Sequence, residues 1–554
     1  VTKMKNGFFR SIRGIIIMAS VVFLGLAVWG YFLFNNMNST INEEDSPMGM
    51  NSNGISVTTL TTPDSKRNTK TFDIQTQVKN INLGHGKQVE AWTFSGTSPG
   101  PEIRVKQGDR VVVHLKNDLP VALTIHWHGL DVPAAMDGVA GITQNAVKPG
   151  ETYTYTFNAD QVGTYWYHSH QMSAEQTERG LFGAIVIEPN TPIVQYEKDY
   201  TVAIHEWKSG VESSFDDRDH NRNDEEQSDI NNEKYDNEDD REIDWNTPQS
   251  NMLVGALMKP TDDQLEELSD GDEYDVFTLN QTSEGLHLDA KPGERVRLRL
   301  INTSNNTHIM TLLGVPFQII ALDGRDIKGG SQLNQAILPI GAAQRYDLVF
   351  EMPKVGSVKL VNANPSTRMN SMLSATVGDG VSPKVPVNLK SYPWFDFTKY
   401  GQKGVGKFTI DSKFTQSLDM DLAEGKYGQQ EWVYTINGKS GADIPPIQVK
   451  TGDTVKIRFR NKGVEIHPMH LHGHTFQVIS KNGKAMEGSP IYTDTVNIFP
   501  GEEYEIALEA NNSGLWMVHC HDLVHAEMGM HTMMNYEGVT TPFSTGEHSG
   551  NHPE

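Results

Sequence analysis

Four His-X-His pairs carry the chemistry this chain offers: His126-Trp127-His128, His168-Ser169-His170, His470-Leu471-His472 and His519-Cys520-His521. On a strand, residues i and i+2 share one face while i+1 points to the other. Each pair therefore aims two imidazoles at one spot, from backbone positions about 7 Å apart. Eight imidazoles suit a cluster of several borderline metal ions. Cys520 faces the opposite way, toward a second metal. Two metal sites joined through three consecutive residues form a layout for moving electrons.

Partners for Cys520 lie close in sequence. His467 stands three residues before His470, His525 five after the cysteine and Met530 ten after it. Two His and one Cys with a weak axial Met is the ligand set of blue-copper electron-transfer sites. Soft sulfur ligands select copper over magnesium or calcium. Zinc accepts a His/Cys set but has no redox chemistry. The first half of the chain offers no such site, because Ser169 stands where Cys520 does and Leu123 where His467 does.

The elements that position these residues recur three times. The markers are Val105-Lys106-Gln107-Gly108-Asp109, Ala290-Lys291-Pro292-Gly293-Glu294 and Val449-Lys450-Thr451-Gly452-Asp453, each followed by an alternating strand that ends in Asn117, Asn302 or Asn461. Counting on from the Asn residues reaches His126 and His128, Thr311 and Leu313, then His470 and His472. A second marker, Pro149-Gly150-Glu151 and Pro500-Gly501-Glu502, leads in the same way to His168 and His170, then to His519 and His521. In the middle repeat it becomes Ile340-Gly341 and reaches Val361 and Ala363 after a two-residue insertion. Strand-rich repeats with frequent turn signals predict Greek-key β-sandwiches. The outer two must meet face to face, leaving the middle one as a spacer.

This pattern resembles the three-domain multicopper oxidases of the laccase and bacterial cuprous oxidase type, over about residues 70 to 540. The resemblance implies an all-β fold of three cupredoxin-like Greek-key domains, preceded here by an N-terminal transmembrane helix. It implies four copper ions: a type 1 copper on His467, Cys520, His525 and Met530, a type 2 copper on His126 and His470, and a type 3 pair on His128, His168, His170, His472, His519 and His521. The implied reaction draws four single electrons from a reducing substrate and reduces O2 to two waters. Catalytic roles are expected for Cys520 as electron conduit, and for Asp137 and Glu527 as acids near the cluster. Some members place an acid directly after the type 1 His, where this chain has Ala526 and only then Glu527. Asp494 matches another family acid and is expected to hydrogen-bond a histidine.

Phenols and aromatic amines are the first expected substrates. Oxidation of Cu(I) for copper tolerance is the alternative, and a non-catalytic copper-binding protein the distant one. Methionines gather near the type 1 motif (Met469, Met517, Met528, Met530, Met533, Met534), with Met369 and Met372 farther off, and are read mainly as core filler.

A chain of 554 residues exceeds one core, since domains hold about 100–200 residues. The expected division is 1–36 cytoplasmic stub and anchor, 37–69 flexible stalk, 70–192, 193–385 and 386–540 the three domains, and 541–554 a flexible tail. A net charge of -23 argues against nucleic acid as partner. The single cysteine excludes an intramolecular disulfide and leaves its thiolate for metal. Lys3, Lys5, Arg10 and Arg13 precede an apolar run from Gly14 to Phe34, long enough to span a bilayer core of about 30 Å as a helix. That orientation predicts export, with the body anchored at the outer face of the cell membrane, or secreted if the segment is cleaved. A monomer is expected. The second domain carries an acidic insertion at about 209–246, with 15 acids against four bases between Glu212 and Asp244, read as a solvated loop.

Overall fold

Alternating Val, Ile and Leu residues build three successive pairs of β-sheets, seen in a computed structural model that describes residues 54–63, 66–208, 274–363, 373–386, 389–546 and 548–554. The expected anchor, the acidic insertion, Met369 and Met372 lie outside the described residues. Among the described residues, no helix is long and apolar enough to cross a membrane.

In the first pair, strands Lys87–Phe94, Thr69–Gly84, Arg110–Lys116 and Thr152–Asn158 form one sheet. Gly100–Lys106, Phe182–Glu188, Gly163–His168 and His126–His128 form the other. Ile74, Val111, Val113 and Phe157 of the first sheet share a core with Ile103, Trp127, Tyr167 and Ile185 of the second. The same plan recurs twice. Lys198–Trp207 lies parallel to Arg295–Asn302, which lies antiparallel to Arg345–Glu351. Gln416–Tyr427, Thr454–Asn461 and Glu503–Glu509 repeat that arrangement in the third pair.

The recurring residues have recurring jobs. At each first marker a carboxylate accepts from the backbone N–H three residues earlier: Lys106 to Asp109, Lys291 to Glu294, Lys450 to Asp453. Each marker Asn then donates to two carbonyls: Asn117 to Val121 and Val147, Asn302 to Asn306 and Ile340, Asn461 to Glu465 and Ile498. The Asn thus ties the end of one sheet to the start of the strand that bears the next motif. Register follows. His126 faces His168, Thr311 faces Val361 and His470 faces His519 across their strand pairs, so the middle repeat keeps the geometry without the ligands.

Two expectations of flexibility are corrected. From residue 54 the expected stalk is packed: Ile55–Ser56 pairs with Val539–Thr540, and Val57 is buried against Val139, Leu515 and Met517. The expected tail is also anchored. Buried Asn551 accepts from Ala146 N and donates to Asn145 Oδ1 and Ser544 O, and Met172 N donates to His552 O. Polar composition suggested solvation, but these groups find fixed backbone partners instead. Met469, Met517, Met530 and Met534 lie in the cores.

Candidate metal centre

Strand alternation sorts the motif residues. Trp127 and Leu471 point into the two sandwich cores, while the histidines beside them point out of each sheet. The outward faces of the first and third pairs meet, and their rings interleave. His126 stacks on His472 at 3.9 Å between centroids, and His128 on His470 at 3.8 Å. All eight imidazoles are buried.

Seven of the eight rings are held by one nitrogen. His126, His168, His170, His470 and His519 each donate Nδ1–H to a backbone carbonyl, those of Asp137, Ser169, Pro553, Asp494 and Cys520 respectively. His472 donates Nδ1–H to Asp137 Oδ2 at 2.9 Å, and His128 donates Nε2–H to Asp494 Oδ1 at 3.1 Å. The remaining nitrogens point inward. His126 Nε2, His128 Nδ1, His168 Nε2, His170 Nε2, His470 Nε2 and His521 Nε2 are buried without a hydrogen-bond partner. His472 Nε2 and His519 Nε2 face each other at 3.0 Å. Buried polar atoms left unpaired are costly in a metal-free fold, and a metal ion satisfies them.

Three all-histidine sets of donor atoms come within 4.8 Å of one another here, His126 with His470 and His472, His126 with His128 and His168, and His170 with His472 and His519, and a fourth joins His128 and His470 to Asp494. Burial, helped by repulsion among the rings, holds His128, His168, His170, His470, His472 and His521 well below the ordinary imidazole range. Burial pushes His519 down to about 3. Rings that stay neutral near pH 7 keep lone pairs for metal.

The second centre lies on the core side of the same strands. Cys520 Sγ is 3.8 Å from His467 Nδ1 and 3.6 Å from His525 Nδ1, and the two nitrogens are 3.3 Å apart. A metal bonded to sulfur at about 2.3 Å and to nitrogen at about 2.0 Å, with angles near 120°, would set sulfur and nitrogen about 3.7 Å apart. The triangle fits a trigonal His2Cys site. His525 is positioned by the short helix Leu523–Glu527, whose N-cap Asp522 accepts from Val524 N and His525 N. Met530 is buried, and its backbone bonds Cys520 N and His525 O. Burial raises the Cys520 thiol, so metal must displace its proton.

Sequence models of the multicopper oxidases match residues 75–192, 223–375 and 411–538. The chain belongs to the multicopper oxidases. Its relatives include multicopper oxidase MmcO of Mycobacterium tuberculosis, 29% identical with 84% of this chain and 87% of that protein covered. Copper resistance protein A of Escherichia coli is 25% identical, with 83% and 91% covered. A solved multi-copper oxidase from Pseudomonas thermotolerans is 28% identical with a TM-score of 0.61, covering 85% of this oxidase and 100% of that chain. Such enzymes are oxidoreductases that use O2.

The oxidase brings most of its motif residues together, with one exception. Asp137 is fully buried and touches both His126 and His472. Glu527 is exposed at the end of its helix, and its carboxyl is raised by partial desolvation and by Glu175. The acid that reaches the cluster histidines on that side is Glu554, with Oε1 3.7 Å from His519 Nδ1 and Oε2 accepting from Ser173 Oγ.

Several residues had no signal in the sequence. Glu465 accepts from His525 Nε2 and Tyr434 Oη, both at 2.7 Å, and Tyr434 stacks on the His525 ring. Asp522 lies 3.2 Å from the same nitrogen. Burial opposes ionisation of Glu465, but the His525 and Tyr434 bonds outweigh it and hold its carboxyl below the usual range. Arg345 and Asp323 of the middle sheet pair contact each other, and Arg345 contacts Asp494 beside the cluster, so this pair is more than a spacer.

Proposed function

We propose that this oxidase takes single electrons from a reduced metal cation, Cu(I) foremost, and passes them to O2 at the eight-histidine cluster. The observation that carries the reading is the mouth of the Cys520 site. The outward nitrogen of His525 is covered by Glu465 and Asp522, both of them partly exposed. Glu465 is the more exposed of the two, at 29% against 17%. A pair of carboxylates attracts a cation and favours its oxidised, more highly charged form.

His467, Cys520, His525 and Met530 would hold a type 1 copper. His126 and His470 would hold a type 2 copper, and the six other paired histidines a type 3 pair. Copper so bound would supply one-electron redox chemistry and a place to reduce O2. Cys520 links the centres through peptide bonds to His519 and His521. Asp137 orients His126 and His472, and the packed sheets exclude bulk water from all eight rings. In balance, four Cu(I), four protons and one O2 give four Cu(II) and two waters. The apolar run Gly14–Phe34 supports placement at the outer face of the cell membrane.

A laccase-like reading, with phenols or aromatic amines as donors, is favoured by one feature. Trp432 is half exposed and stands two residues before Tyr434 on the strand beside the same mouth, offering an aromatic platform. Steady-state oxygen uptake by the copper-loaded protein with Cu(I) and with a phenol separates the two readings. A higher kcat/KM for Cu(I) is expected. A preference for the phenol would reverse the choice of substrate, and no uptake with either would end the oxidase reading.

A further inference from the structure

We propose that Arg345 selects the ring nitrogen that His128 presents to the cluster, and so makes the copper-free middle sheet pair a working part of the oxygen-reducing centre. This rests on the copper-cluster reading above.

His128 breaks the pattern of the cluster. The rings anchored through Nδ1–H, those of His126, His168, His170, His470, His472 and His519, turn Nε2 inward. His128 is anchored through Nε2–H and turns Nδ1 inward, where it has no hydrogen-bond partner. A neutral imidazole carries one N–H, so the nitrogen that donates outward fixes the one left for metal. For His128 the nearer acceptor is Asp494 Oδ1 at 3.1 Å, with Thr495 Oγ1, itself donating to Asp494, at 3.4 Å.

Asp494 in turn is held by Arg345. Arg345 Nη1 donates to Oδ1 at 2.8 Å and Nη2 to Oδ2 at 2.6 Å, a two-pronged contact that fixes the carboxylate plane. Arg345 is fully buried and is itself held by Thr164 O, Ala343 O and the nearby Asp323. The same aspartate accepts from His470 Nδ1 through its backbone carbonyl, so its placement bears on two rings at once. Gly129, directly after His128, closes onto the ion pair. A Cβ there would lie 2.5 Å from both Arg345 Nη2 and Asp494 Oδ2, and its φ of +84° suits glycine. The guanidinium therefore comes from a strand with no ligand of its own, reaches across to the third pair, and sets a ligand of the first.

The test uses the full copper-loaded chain. Wild type is first assayed for total copper and for cluster spectra; an empty cluster there would refute the copper reading itself, before any variant is compared. Arg345→Gln and Arg345→Lys are then compared with wild type by copper content, by the blue absorption of the Cys520 site, and by paramagnetic resonance of copper freed from the coupled pair. Both variants are expected to keep the blue band and its bleaching by reductant. Both are expected to lose cluster copper or coupling, with oxygen reduction down roughly 10–100-fold. Lysine keeps the charge without the fork, so its failure to rescue identifies geometry as the cause. Unchanged cluster spectra and copper content in both variants would overturn the proposal. So would loss of the blue band in step with the cluster in Arg345→Lys, which would assign the residue to general folding.

Discussion

Single carboxylates govern what the histidines of this oxidase can do. Asp137 grips His472 by its side chain and His126 by its carbonyl, so Asp137→Asn is expected to loosen one ring while leaving the other's bond in place. Oxygen reduction should fall roughly 10–100-fold with the blue band intact, read by oxygen uptake against optical titration. On the proposed reading, Glu465 acts at the other end of the electron path. Glu465→Gln is expected to raise KM for Cu(I) about tenfold, about 1.4 kcal/mol, while a bulky phenol is oxidised at near wild-type rate. An equal loss with both donors would refute the carboxylate as a cation guide. Cys520→Ser should abolish the blue band and turnover together, because no other thiol is present. The clustering of the paired histidines was legible in the sequence because strand alternation needs only neighbours. Glu465 and Arg345 were not, because each reaches its histidine or aspartate from a strand or turn whose path depends on the whole fold.

At the scale of elements, the marker turns and Asn residues made the repeats readable, down to the two-residue insertion that brings Val361 opposite Thr311. These signals lie in backbone hydrogen bonds, which tolerate little change of residue type. The segment 548–554 gave no such signal. Its polar composition reads as solvated, yet Pro553 O accepts from His170 Nδ1 and Asn551 locks the segment to the first sheet pair. Asn551→Ala is expected to free the segment. Copper retention at the cluster should then weaken roughly 10–100-fold, measured by competition with a chelator, without loss of the type 1 colour. Retention equal to wild type would show that His170 needs no help from this segment.

For the whole molecule, the contact between sheet pairs carries its own pH dependence. His205 sits where the first and second pairs meet, with Nδ1 near Thr303 O, Nε2 near Glu178 O and its ring on Phe182. Burial lowers it to about 4. The unfolded chain therefore binds a proton near pH 6.5 that the folded chain refuses until about pH 4. Stability from this group is full above pH 6.5 and is lost as pH falls toward 4, by about 3 kcal/mol in all. Chemical denaturation of the metal-free protein across that range should show this loss added to that of the buried cluster histidines, and His205→Gln should make the slope shallower by its own share only. The meeting of the outer pairs was legible from their histidines, but the contact of the first and second pairs at His205 was not, since no ligand pattern marks those faces. The grip of Pro553 on His170 has a consequence for biosynthesis. Residues 551–553 follow every histidine of the cluster in the chain, so the brace on His170 can form only after all eight of these residues have been made. Metal insertion completed earlier in translation would leave that ring unbraced, and pulse-labelled chains halted short of residue 551 should release their copper faster than finished ones.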